Sequence, residues 1–121
     1  MVLENSLHTC DVSTPAREFE VCHQWTYLLF EEFFEQGDLE LEKGLPISML
    51  CDRTTTNVAK SQDGFINFIT LPLFNNLGHI MPILHADIKH IKKNAAAWKV
   101  YEETDRDKKV YTKKAIEEEQ L

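Results

Sequence analysis

Glycine and proline are scarce in this chain, four of each among 121 residues. They gather at joints between longer periodic segments, where such residues interrupt regular structure. Cysteine is scarce too: Cys10, Cys22 and Cys51 are odd in number and match no zinc or thioredoxin spacing, so they read as reduced thiols of an intracellular protein. Basic charge is outweighed, with 13 Lys and Arg against 20 Asp and Glu and a formal net charge of -7. That balance argues against a binder of nucleic acid phosphates, which needs a basic face. No stretch approaches the ~20 apolar residues of a membrane span. The start, Met1-Val2-Leu3-Glu4-Asn5-Ser6-Leu7, lacks the basic region and apolar core of a signal peptide. A soluble, cytoplasmic protein is the expectation.

Chemical signatures are missing as well. The five histidines include no i,i+4 pair, which excludes an HExxH zinc site, and no glycine-rich phosphate loop is present. There is no Gly-x-Ser-x-Gly elbow and no thiol-protease signature around the cysteines.

What is present is helical periodicity in a chain 43% apolar and 27% charged, well outside the composition of disorder. A stub over Leu3–Leu7 is expected to end near Ser13-Thr14-Pro15. Pro15 suits the first turn of a helix capped by Ser13 or Thr14. A long helix is then expected from about Ala16 to Gln36, stopped at Gly37-Asp38. Val21, Trp25, Leu28 and Leu29 make one apolar stripe on it, and Phe19, Phe30 and Phe34 lie on another. A helix apolar on more than one side belongs inside a body larger than itself. Residues Leu45 to Arg53 read as an apolar loop. Asp52 and Thr54-Thr55-Thr56 look like a helix start, with a helix from about Thr55 to Leu77. Val58, Gln62, Phe65, Ile69 and Leu73 fall along its face, and Pro72 should kink it. A last helix runs from Ile83 to about Glu103, and residues 105–121 read as a charged, solvated tail. No convincing strand and no internal repeat is visible, so the fold class is all-α.

His8 and Asp11, three apart, put an imidazole and a carboxylate on one helical face. Taken alone, the pair suits a surface or capping role as well as a site. Composition and spacing stop at a helical piece of an intracellular domain.

Three strings in order carry further: His8-Thr-Cys-Asp-Val-Ser13, Glu31-Glu-Phe-Phe-Glu-Gln-Gly-Asp38 and Lys60-Ser-Gln-Asp-Gly-Phe-Ile66. With Pro15, Trp25-Thr26 and Leu50-Cys-Asp-Arg53 between them, the chain resembles the C-terminal part of the class I 3′,5′-cyclic-nucleotide phosphodiesterase catalytic domain. The likeness covers Leu3 to Phe74 closely and continues loosely through Asn94 and Trp98. It implies an all-helical domain over residues 1–104 and hydrolysis of cAMP, cGMP or both to 5′-monophosphates. It also implies two divalent metal ions, zinc and magnesium, activating the attacking water.

By the same resemblance Asp11 is a metal ligand and His8 is structural. Gln62 hydrogen-bonds the purine edge and Phe65 stacks on the base, while Leu29, Phe33 and Leu50 line the base pocket. The chemistry is apt: an amide both donates and accepts, and an aromatic face stacks on any base. Thr14 and Cys22 stand where the family often has stronger hydrogen-bonding side chains, which would leave Gln62 free to rotate and cAMP versus cGMP undecided. Asp63 replaces a usually apolar residue and is either solvent-facing or a weakness in a site for an anion.

The remaining family ligands belong upstream of the matched strings, so hydrolysis by this chain alone is expected to fail. No catalytic residue is assigned within it. Two readings follow: a partial copy of the enzyme, or a non-catalytic helical protein derived from it. The second would bind a nucleotide weakly, self-associate, or pair with a full-length relative through its apolar helix face. A helical scaffold without ligand is the third.

Overall fold

The computed structural model describes residues 1–104, and the tail expected at 105–121 lies outside them. Five α-helices follow one another: α1 (Val2–Asp11), α2 (Phe19–Glu42), α3 (Val58–Phe65), α4 (Leu71–Gly78) and α5 (His85–Thr104). Short 3-10 turns occupy Thr14–Ala16 and Pro82–Leu84, and a π-helical stretch, Ile66–Thr70, joins α3 to α4. No strand occurs among the described residues, in line with the all-α class. No helix among them is long and apolar enough to cross a membrane.

The core forms where α5 lies against α3 and α4. Ile88, Ile91, Ala95 and Trp98 recur at spacings of three and four, which puts them on one face of α5. That stripe meets Ala59, Ile66 and Phe74 in one cluster. Trp98 is wholly buried, its ring edge-on to Phe19 at 5.3 Å and stacked on His23 at 5.5 Å. Asn94, also buried, donates its amide to the carbonyls of Pro15 (2.8 Å) and Arg17 (2.7 Å). A second cluster pairs Phe30 and Phe34 of α2 with Val58 at the start of α3.

Several boundaries differ from expectation for identifiable reasons. The first helix runs from Val2 to Asp11 and so ends close to the expected place, while others move further. The long helix starts at Phe19 and not at Ala16, because the Asn94 side chain takes the Pro15 and Arg17 carbonyls and Arg17 is extended (ψ 168°). The same helix runs straight through Gly37. That glycine is needed for contact: a methyl group there would overlap the Cys51 carbonyl oxygen. The stop is Gly44, in the left-handed region (φ 68°). Its N–H bonds the Leu41 carbonyl at 3.0 Å and that of Leu45 bonds the Glu40 carbonyl at 2.8 Å. These two bonds are a Schellman motif.

Asp52 does not start a helix. Its carboxylate takes the N–H and hydroxyl of Thr54 (2.9 and 2.6 Å), closing a turn. The cap is Asn57, whose side-chain oxygen accepts from the Lys60 N–H at 2.9 Å. Ahead of Pro72, which lacks a donor, the helix passes through the π-helical stretch. The extra residue per turn shifts the buried face, so that Ile66, Thr70 and Phe74 continue inward from Gln62. Ile69, expected on that face, is exposed.

Candidate functional site

The end of α1, the Thr14–Ala16 turn, α2, the 45–57 loop and α3 enclose a cavity of about 420 Å³. α3 contributes Gln62 and Phe65, which sit three apart and therefore side by side on the helix. α2 contributes Trp25, Leu29 and Phe33, at spacings of four. Leu50 closes the space from the loop, and Asp11 stands at the edge, at the C-terminus of α1. All six residues singled out from the sequence therefore line one cavity. His8 is exposed and lies outside the lining, as does Asp63, whose carboxylate is bonded by Asn67 at 2.9 Å.

Gln62 is a buried polar group in this largely apolar lining, 8% exposed. A buried amide needs a partner, and Thr26 supplies one: its hydroxyl donates to Gln62 Oε1 at 3.3 Å. The rotational freedom expected from Thr14 and Cys22 is thus curtailed by a third residue. The signal for Thr26 was available in the sequence, because it falls on the α2 stripe Cys22, Thr26, Phe30, Phe34 as a hydroxyl among buried groups. Cys22 beneath it is fully buried, and burial pushes its thiol pKa up, with Trp98 and Thr26 opposing. The Trp98 indole N–H is buried without a well-aligned acceptor and faces that sulfur, a weak acceptor.

The loop bearing Leu50 is tied to the last turns of α2. Glu40 accepts the backbone N–H of Ser48 (2.7 Å), its hydroxyl (2.6 Å) and the Gln36 amide (3.0 Å), and these bonds lower its pKa. Arg53 lays its Nε on both Asp38 oxygens at 3.0 and 3.1 Å, and its guanidinium sits over the Phe34 ring at 5.5 Å. Leu50 is the one non-glycine residue with positive φ (68°) among those described, a conformation that costs an L-residue roughly 1–2 kcal/mol.

The fit to the expected metal pair is poor. Among the described residues no group of three or more His, Cys, Asp or Glu side chains is placed to share an ion. Asp11 is exposed and stands at the cavity edge. A divalent ion ordinarily needs four to six ligands.

Residues 1–91 match the family model described as 3'5'-cyclic nucleotide phosphodiesterase. The chain belongs to that family. It is 48% identical over 103 residues to the dual specificity calcium/calmodulin-dependent 3',5'-cyclic nucleotide phosphodiesterase 1 of Drosophila melanogaster, a match covering 85% of this chain and 12% of that protein. It is 58% identical over 71 residues to the human 1C relative, covering 59% of this chain and 10% of the other. Among solved structures, that of LmjPDEB1 in complex with IBMX superposes with a TM-score of 0.69 at 30% identity, covering 79% of this chain and 29% of that one. The chain thus spans roughly a tenth of the length of these curated phosphodiesterases.

Proposed function

We propose that this chain forms the base-binding pocket of a cyclic-nucleotide phosphodiesterase, taking cAMP, cGMP or both, and contributes Asp11 as one carboxylate toward a divalent-metal pair, zinc and magnesium. The observation that carries this is the convergence of Gln62, Phe65, Leu29, Phe33 and Leu50 on one cavity with Asp11 at its edge. Gln62 addresses the purine edge, Phe65 stacks on the ring, and the aliphatic side chains exclude water from the opposite wall. The names of the relatives, dual specificity 3',5'-cyclic nucleotide phosphodiesterases, support both nucleotides as ligands. The enzyme's reaction is hydrolysis to the 5′-monophosphate in cyclic-nucleotide signalling. Asp11 does not hold metal by itself, so no turnover is expected from this chain unaided.

Titration of the purified chain with cAMP and cGMP, read by tryptophan fluorescence since Trp25 lines the cavity, tests the reading. Saturable binding without hydrolysis is expected. Phe65→Ala should weaken it by about 1–3 kcal/mol, the worth of a base–aromatic stack. Absence of saturable binding to either nucleotide would sink the proposal and leave a helical scaffold.

A second reading, self-association or pairing with a full-length relative, rests on the second stripe of α2. Val21, Trp25, Leu28 and Leu29 are 40%, 60%, 54% and 42% exposed on adjacent turns, an apolar face of the kind that marks interaction sites. Sedimentation of the chain with and without Leu28→Gln separates it from the first.

A further inference from the structure

We propose that Glu40 is a positioning residue for the pocket, holding the Ser48–Cys51 turn on α2 so that Leu50 stands as a fixed wall and sets the width open to a planar ring. The inference rests on the pocket reading above, and Glu40 itself lies outside the cavity lining.

The starting point is the left-handed backbone of Leu50. Tight turns ordinarily place glycine at such a position. Leu50 is 37% exposed, so its own burial is a weak reason to hold that conformation. Strain of this kind persists only when the surroundings over-determine it, and here they do. The Ser48 carbonyl accepts the Cys51 N–H at 3.0 Å, closing the turn with Leu50 as its third residue. The Ser48 N–H and hydroxyl both end on the Glu40 carboxylate. On the far side of the turn, the Cys51 carbonyl abuts Gly37, one turn before Glu40 on α2.

The turn is thereby gripped at both ends by consecutive turns of one helix. That helix also carries Leu29 and Phe33, so the apolar wall and the turn move as one body facing Gln62 and Phe65 on α3. Ionised, Glu40 is an acceptor only, and it takes two donors from a single residue. An amide in its place is uncharged, and its NH2 can meet the Ser48 hydroxyl only if that hydroxyl turns to accept. The carboxylate therefore grips the turn more strongly than an amide would, because bonds to an ionised acceptor are the stronger ones.

A double-mutant cycle on the full chain tests this, with cGMP and IBMX as the probes. Leu50→Ala should weaken binding about tenfold, the lower end for trimming an apolar pocket contact. Glu40→Ala should weaken it by a similar factor in the native background and by nothing further once Leu50 is alanine. Equal losses from Glu40→Ala in both backgrounds would overturn the proposal, as would no loss in either. A readout without ligand accompanies it: amide exchange at 48–51 should accelerate in Glu40→Ala, and to a smaller extent in Glu40→Gln, while α5 stays protected. Unchanged exchange at those amides overturns the positioning role even if neither probe binds the native chain, an outcome that refutes the pocket reading separately.

Discussion

α5 and α2 are both long helices, yet they use their apolar residues in opposite ways. On α5 the stripe Ile88, Ile91, Ala95 and Trp98 is wholly consumed by the core, at 9% exposure or less. On α2 one stripe (Cys22, Thr26, Phe30, Phe34, Gly37) is buried, while Val21, Trp25, Leu28 and Leu29 remain open. The first helix is a structural member whose side chains are satisfied. The second is half satisfied, and its open side supplies walls of the cavity. Apolar surface left uncovered in a folded chain points to a contact with something else.

Tryptophan truncation tests this contrast most severely. Trp98→Ala should destabilise the chain by about 3–5 kcal/mol, as aromatic truncations in a packed core do, whereas Trp25→Ala should fall within about 0.5 kcal/mol, the usual range for surface changes. Similar denaturant midpoint shifts for the two would break the comparison. Asn94→Ala comes next, at about 1–3 kcal/mol, because it strands the Pro15 and Arg17 carbonyls. Asn94→Asp should be no better, since a carboxylate cannot donate to them.

The helical glycines sharpen the contrast within one fold. Gly37→Ala drives a methyl into the Cys51 carbonyl and should cost about 1–3 kcal/mol. Gly64→Ala meets nothing within 4 Å and should raise stability by about 0.5–1 kcal/mol through the lower chain entropy of alanine. Thermal unfolding of both variants reads the signs directly.

Smaller effects come from titration. Burial raises the Cys22 pKa above its usual 9.0, so the unfolded chain releases that proton first and stability falls as pH rises above 9. Cys22→Ala should flatten that alkaline slope. Glu40 runs the other way: its hydrogen bonds lower its pKa below the usual 4.5, so its contribution is present above that value and is lost as pH falls through the folded pKa. The protection of the Ser48 amide against exchange, relative to its intrinsic rate at each pH, should drop there.

Much of the fold was legible. The helical periods, the joints at Pro15, Gly78 and Pro82, and the apolar excess of α2 are local properties of the chain. The six candidate positions came from family likeness, and the cavity gathers all six. Thr26 could be read as a hydroxyl on a buried stripe, but its partner could not, because that partner lies 36 positions away. Gly37 was misread as a stop because sequence does not distinguish a glycine that needs positive φ from one that needs room. Gly44 is the first kind and Gly37 the second. Ile69 was misassigned because a π-helical turn changes the period on which face assignments rest.

By itself, then, the sequence determined that this protein is built of helices and roughly where they join, while the residues proposed to meet a planar, polar-edged ligand came from family resemblance. Helical periods are local, and a resemblance rests on short strings of neighbouring residues. Only the tertiary structure decided how Gln62 is held, why Leu50 sits in a left-handed backbone, and which stripe of α2 stays open. Each depends on a contact between segments far apart in the chain: Thr26 with Gln62, Cys51 with Gly37, Val58 with Phe30 and Phe34.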